Sequence, residues 1–248
     1  MQTITIIFAL EREARPLLRF WPTTTRLPGR GRPTWATTLP TGQPVEVIIS
    51  GVGPQAAREA LAERLADAEP PARVIAAGFA GALSDALPVT ALYQPAQVID
   101  EAGNGFVSLP LLELVPMQGR LLTTTRLIGC AVQKLALGRL HRAMAVDMES
   151  AAIAQVCQAN QIDFSCLRVI ADARATTLPP GLVGLLHGGR VDWLRLAGAL
   201  ARQPAQVGQL VRLASDTRVA ARRLAAALNY AVSNLAAPES MPRLVRAA

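Results

Sequence analysis

The stretch Val45–Ala77, VEVIISGVGPQAAREALAERLADAEPPARVIAA, decides the fold class. It opens on the β-branched run Val45–Ser50 and closes on a second run, Arg73–Ala77, both apolar enough to predict buried strands. Between them, GVGPQAAREALAERLADAEP fits a helix: Ala57, Leu61 and Leu65 fall on one stripe, and Pro70 and Pro71 stop it. Strand, helix and strand in that order are the unit of an α/β fold built on a buried central sheet.

On either side of this stretch, Thr3–Phe8, Ala143–Val146 and Phe164–Ala171 read as further strands. The segment MESAAIAQVCQAN after Asp147 reads as a helix through Ala152, Val156 and Cys157. Residues 21–44 read as a loop or irregular hairpin, because Trp35 and the Ala/Thr run after it can join a sheet edge. From Val191 the chain turns helical. Leu196 and Leu200 mark one helix, Gln203 and Pro204 a break, and Val207, Leu210, Val211, Ala214, Ala220, Leu224, Ala227 and Leu228 keep helical spacing after it. The last dozen residues, APESMPRLVRAA, are expected to fray.

Composition narrows the classes. A chain of 248 residues that is 51% apolar can bury a substantial core, which excludes global disorder. The longest apolar run, Val74–Leu83, falls short of the roughly 18 to 20 residues that span a bilayer. The N-terminus has no basic region before its apolar stretch, so a cytoplasmic location is expected. Cys130, Cys157 and Cys166 lack metal-ligand spacing and read as buried reduced thiols. Of the net charge of +7, Arg190–Ala248 carries +6, nine Arg against Asp192, Asp216 and Glu239. The chain has 24 Arg and one lysine, Lys134, a bias read with the abundant Ala as genomic composition, so the basic balance is not taken as a nucleic-acid signal.

Carboxylates at strand ends are the candidates for chemistry. Asp172 ends the apolar run LRVIADA and is either an N-cap or functional; Pro179 and Pro180 downstream weaken the capping role. Asp147 is most simply the N-cap of the helix it precedes, and Glu149 is either a solvent-facing first-turn residue or a ligand-holding one. Met148 between them suits either the core or the packing of a sugar. Glu11 and Glu13 follow the first strand, where ligands collect in open α/β sheets, although an acidic surface turn explains them equally. Ser50–Gly53 and Gly78–Gly81 are read as glycine segments that follow strands and let a ligand approach the backbone, or simply as tight strand-to-helix packing.

Taken together, these segments resemble the nucleoside phosphorylase and nucleosidase family, in particular the 5′-methylthioadenosine/S-adenosylhomocysteine nucleosidases and the hopanoid-associated phosphorylases. The resemblance spans about residues 3–180. AVDMESAAIAQVC at Ala145–Cys157 is similar to the family's ribose-binding segment, RVIADA at Arg168–Ala173 to its acid-bearing segment, and FALERE, SGVGP and GFAGAL follow its order. It implies a single α/β domain with a twisted mixed sheet flanked by helices: a catalytic domain over 1–189 and an Arg-rich helical extension over 190–248 packed on it. It also implies Asp172 as the acid that protonates purine N7, Glu149 as the carboxylate holding ribose hydroxyls, Met148 as the residue under the sugar, Glu13 as the carboxylate that positions water, and Gly78 as part of the substrate site. No metal or organic cofactor is implied, with phosphate left open as a co-substrate.

Two departures from the family pattern bear on the nucleophile. Ala76 and Ala77 stand where phosphorylases place a phosphate-binding Arg, which favours water, while Arg12, Arg30 and Arg32 are the residues that could hold phosphate by another route. Phe79 replaces a small polar residue. The expected activity is therefore cleavage of an adenine nucleoside, with adenosylhopane as the substrate that the Arg-rich end suggests. Methylthioadenosine cleavage or purine nucleoside phosphorolysis is the alternative, and a non-catalytic basic membrane- or nucleic-acid-binding protein is the reading from another class. Low aromatic content, 4%, argues against a nucleic-acid partner. A homodimer or larger homo-oligomer is implied, and the basic C-terminal helices are expected either to meet an anionic membrane or to pack as a helical cap.

Overall fold

The strand–helix–strand unit forms as its sequence predicts: β4 (Pro44–Ile49), α2 (Pro54–Asp67) and β5 (Arg73–Ala82). The computed structural model describes residues 2–28, 31–177 and 207–235, with side chains in the last segment from Thr217. Before this unit come β1 (Ile4–Phe8), α1 (Glu11–Leu18), β2 (Thr25–Arg26) and β3 (Thr34–Thr38). After it come β6 (Leu92–Tyr93), β7 (Gln97–Ile99), β8 (Gly105–Val107), β9 (Arg120–Thr123), α3 (Ala131–His141), β10 (Ala145–Asp147), α4 (Ser150–Ala159), β11 (Asp163–Asp172) and α5 (Val207–Asn234).

These strands join one mixed sheet. β4, β1, β5 and β11 are parallel neighbours, β10 pairs antiparallel with the far end of β5, and β9 and β7 continue in parallel from β10. Residues 21–44 do form the irregular hairpin: β2 pairs with β3, and β3 joins the sheet edge with Trp35 opposite Val47.

Side chains alternate across the sheet with the two-residue period of a strand. Val74 and Ala76 of β5 face the layer of α2 and α4, with Ala57, Leu61, Ile153 and Cys157. Ile75 and Ala77 face the layer of α1 and α5, with Ala14, Leu17, Leu224 and Leu228. Both faces are covered, as the apolar strand sequences require.

One expectation is corrected in β5. Gly78–Gly81 does not follow the strand; it lies inside it, because β11 pairs alongside from Asp163 as far as Asp172, opposite Gly81, with a register shift after Ile170. Cross-strand pairing overrides the low strand propensity of glycine here.

From Thr217 on, helix α5 packs its apolar side into the core and leaves its arginines outside. Ala220, Leu224, Leu228 and Val232 follow one another at four-residue spacing and are fully buried, while Arg218, Arg222 and Arg223 are exposed. Trp21 Nε1 donates to Asn229 Oδ1 at 2.8 Å, tying the helix to the end of α1. The apolar stripe that could have entered a lipid surface is packed into the core at Leu224, where each buried leucine contributes about 2 kcal/mol. The Leu196–Leu200 helix, the break at Gln203–Pro204, the boundary at 189/190 and the frayed terminus all lie outside the described residues, as do the side chains of Leu210 and Val211. No helix among the described residues is long and apolar enough to cross a membrane. The thiols split: Cys157 and Cys166 are buried, but Cys130 is only half-buried, because it sits at the N-cap of α3 rather than in an apolar layer.

Candidate active site

Because β4, β1, β5 and β11 run in one direction, the segments that follow them leave from a common edge. That edge is where open α/β sheets gather ligands. β10 runs the other way along the end of β5, with Val146 opposite Gly81, so Asp147 and the start of α4 arrive beside the extended part of β5. Three carboxylates, Glu13, Asp147 and Glu149, and the guanidinium of Arg168 meet there, all buried.

Arg168 organises the group. Its Nη2 lies 2.5 Å from Asp147 Oδ2 and donates to Ser150 Oγ at 2.7 Å. Asp147 is fixed from its other side by Thr123 Oγ1, at 2.6 Å, and also accepts from the Ser150 backbone N–H at 3.1 Å. Asp147 therefore bonds the first N–H of α4, but the N-cap position belongs to Glu149, so Asp147 is not the N-cap its place in the sequence suggests; the buried ion pair is what the sequence reading missed. Gly78 makes room for the guanidinium: a Cβ there would sit 2.6 Å from Arg168 Nη1 and 3.3 Å from Glu13 Oε2, at a φ of +151°. The space a side chain would fill at Gly78 is taken by Arg168 beside Glu13.

Glu13 is not a surface residue of the first helical turn, whereas Glu11 is exposed and pairs with Arg15. Glu13 Oε2 accepts from the Leu10 N–H at 3.0 Å and Oε1 from the Phe79 N–H at 3.3 Å, which holds the carboxylate between α1 and β5. Burial raises its pKa above the ordinary value, and Arg168 and the two backbone donors oppose that rise. Glu149 is buried as well, and its Oε1 accepts from the Gly53 N–H at 2.9 Å, which links α4 to the turn before α2. Burial and then the neighbouring Asp147 push its pKa up to about 7, with Arg168 pulling the other way. If all three carboxylates are ionised, one guanidinium leaves the cluster with an excess of negative charge. Met148 lies half-buried between Asp147 and Glu149.

Asp172 stands apart from this group, next to Gly81, whose Cβ position is 3.1 Å from Asp172 Oδ1. Gly78 and Gly81 are three residues apart in β5, so the Glu13–Arg168 end and the Asp172 end are separated by roughly 10 Å of strand. Asp172 does not cap a helix in the described residues; its Oδ2 is the partner of Lys134 Nζ. Burial raises the Asp172 pKa and Lys134 opposes that rise.

Sequence reasoning named Glu13, Glu149, Met148, Gly78 and Asp172, and missed Arg168, Lys134, Thr123, Ser150 and the Gly53 N–H. A signal existed for Arg168: a charged residue inside CLRVIA, a strand buried on both faces, must have a buried partner. The alternative phosphate residues fare differently. Arg32 is occupied by Glu59, Glu63 and the Ser50 carbonyl, Arg12 is exposed, and Arg30 is outside the described residues.

The family model described as the Phosphorylase superfamily matches residues 3–126 and 112–180. Among solved structures, a Helicobacter pylori MTAN variant with 5′-methylthioadenosine in its active site is similar at TM-score 0.72 and 17% identity, over 95% of this chain and 100% of that one. The futalosine hydrolase of Helicobacter pylori is similar at TM-score 0.72 and 17% identity, over 94% and 98%. The 5′-methylthioadenosine/S-adenosylhomocysteine nucleosidase of Neisseria meningitidis, in complex with methylthio-immucillin-A, is similar at TM-score 0.70 and 18% identity, over 94% and 99%. No curated protein matches the sequence significantly. A match over 95% of the chain leaves fewer residues outside it than the 28 of α5, so a terminal helix does not distinguish this chain from such nucleosidases.

Proposed function

Because the chain belongs to the phosphorylase superfamily, we propose that it cleaves the N-glycosidic bond of an adenine nucleoside, with water as the nucleophile. The observation that carries this reading is the pairing of a buried, carboxylate-rich cluster around Arg168 with a separate carboxyl group, Asp172, farther along β5 beside Gly81. Breaking the bond between sugar and base sends the electron pair to the base and leaves the sugar oxocarbenium-like. Asp172 gives its proton to the base nitrogen and becomes a carboxylate. Glu149 accepts hydrogen bonds from the ribose hydroxyls, and these contacts strengthen as the ring gains positive charge. Met148 packs against the sugar. Glu13, already holding two backbone donors, orients the water and takes its proton as the new C–O bond forms. Each carboxylate of the cluster that is ionised beyond the Asp147–Arg168 pair adds negative charge that stabilises the developing cation.

Water rather than phosphate is supported by Ala76 and Ala77, both buried without charge, and by the engagement of Arg32 with two glutamates. The finer proposal for substrate is adenosylhopane, a lipid-borne nucleoside, with the exposed Arg218, Arg222 and Arg223 holding the protein at the anionic membrane surface that carries it; a relative of this fold holds 5′-methylthioadenosine, which is the second substrate to compare. The protein is incubated with each nucleoside, with and without phosphate, and the base and sugar products are identified. Free adenine and a free ribosyl product without phosphate support the reading. Strict phosphate dependence with a sugar 1-phosphate overturns water as nucleophile, and methylthioadenosine turnover far above that of adenosylhopane overturns the finer substrate.

A further inference from the structure

The one lysine of a chain with 24 arginines is buried completely, on α3, behind Asp172. Lys134 Nζ donates to Asp172 Oδ2, to the Ala173 carbonyl at 2.9 Å and to the Thr176 carbonyl at 3.3 Å. An ammonium group has three donors, and all three are used on a single short segment at the end of β11. Its side chain is 0% exposed while that of Asp172 is 14% exposed, so the carboxyl group is the half of the pair that opens to the site. At the same end of α3, the Ala131 N–H donates to Thr177 Oγ1 at 3.4 Å, which brings the helix terminus onto the same segment.

Burying an ammonium costs several kcal/mol unless it is paired and fully hydrogen-bonded. We infer that Lys134 is a positioning residue for Asp172, aiming its carboxyl group into the site and stabilising the carboxylate that forms when the proton passes to the leaving base. This rests on Asp172 being the acid of the proposed reaction. The proton moves from Asp172 to the base nitrogen, the negative charge appears on Asp172, and Lys134 meets that charge at a distance fixed before the reaction begins. The ion pair of the structure is the state in which Asp172 has already lost its proton. A neutral side chain at position 134 would leave burial as the main influence on Asp172, making it a weaker acid and a slower proton donor. Among the described residues, few groups are placed against the pair. Cys130, at the cap of α3, has its pKa lowered chiefly by the Gln133 and Val132 N–H groups and secondarily by Lys134; β5 contributes Gly81 and β10 Val146, neither of which ionises.

The test compares Lys134→Met, Lys134→Arg and Asp172→Asn with the wild-type chain, using methylthioadenosine and 4-nitrophenyl riboside, whose leaving group needs no proton. Lys134→Met is expected to move the alkaline limb of the kcat/KM profile for methylthioadenosine up by one pH unit or more, the usual effect of an opposite charge at contact distance. Its turnover of methylthioadenosine should fall about tenfold or more, the lower range of a general-acid effect. Turnover of the nitrophenyl riboside should be spared, and Lys134→Arg should return the limb towards its wild-type position. An unshifted limb with equal losses on both substrates overturns the inference, since a merely structural role would do that. A second readout needs no change at position 134. Uniform labelling of lysine with 15N gives a single side-chain signal, which should follow the titration of Asp172 and move in Asp172→Asn. A signal that ignores Asp172 overturns the inference even if Lys134→Met does not fold. Absence of adenine release by the wild-type chain, by contrast, defeats the proposed reaction and leaves the 15N result to judge the pair.

Discussion

Replacing Glu149 with Gln should make the protein more stable at alkaline pH while removing most of its activity. Glu149 is 6% exposed, and burial with Asp147 beside it raises its pKa from 4.5 to about 7. A carboxyl group whose folded pKa lies above its unfolded one imposes no cost below the unfolded value. Its cost grows as pH rises between the two values and is constant above the folded one. At 1.36 kcal/mol per pKa unit, holding Glu149 ionised in the folded chain costs about 3 kcal/mol above pH 7 and close to nothing below pH 4.5. Glutamine keeps an acceptor for the Gly53 N–H without the charge, so Glu149→Gln should gain roughly 3 kcal/mol at pH 8, a rise in Tm of about 6 to 12 °C for a chain of this size. The gap should close as pH falls towards 4.5. The assay is thermal or denaturant unfolding of both proteins from pH 4.5 to 8.5, beside turnover at each pH. A variant that is less stable at every pH, or a stability gap that does not change with pH, refutes the reasoning and returns Glu149 to an ordinary helix-terminal role.

Other changes test the rest of the site. Asp172→Asn should lose stability, because the buried Lys134 ammonium loses its counter-charge, and its folded fraction should lose about 10² or more in adenine release; near-normal turnover would remove Asp172 from the reaction. Gly78→Ala should destabilise by about 1 to 3 kcal/mol and depress activity, because the added Cβ would sit 2.6 Å from Arg168 Nη1; denaturant unfolding with unchanged midpoint and slope would contradict this. Arg168→Met should cost about 3 to 5 kcal/mol at pH 8 by leaving Asp147 in a buried site without its cation, and the loss should shrink in acid; a loss independent of pH would count against the charge cluster. Replacing Arg218, Arg222 and Arg223 with Gln should weaken salt-sensitive binding to anionic vesicles and lower activity on vesicle-embedded adenosylhopane alone, whereas equal losses on a soluble nucleoside without vesicle binding would end the lipid-surface proposal.

The parts of the structure that could be read from the sequence are those whose periodicity runs long enough to be distinctive. Leu61 and Ala57 betray α2, Ile4–Phe8 and Val45–Ile49 betray buried strands, and the four-residue spacing of Leu224 and Leu228 betrays α5. Strands β6 to β9 have two to four residues each, too few for an alternation to stand out, and α3 has no clear apolar stripe because its key buried residue is a lysine. The carboxylates Glu13, Glu149 and Asp172 were legible because they punctuate the ends of apolar runs. Their partners were not: Lys134 reaches Asp172 across 38 positions and Arg168 reaches Asp147 across 21, and cations read locally as solvated. The lone lysine among arginines was the one local clue to the first pair.

The proposed reaction is cleavage of a nucleoside by water between Asp172 and the Arg168 carboxylate cluster. Its most direct test is a single measurement: phosphate-free turnover of methylthioadenosine in 18O-labelled water, with mass spectrometry of the sugar and base. Free adenine and one 18O at the anomeric carbon, trapped by reducing the sugar before its hemiacetal exchanges with solvent, are expected, both abolished in Asp172→Asn and Glu13→Gln. Release of adenine without label, or labelled product formed equally well by the two variants, would contradict it.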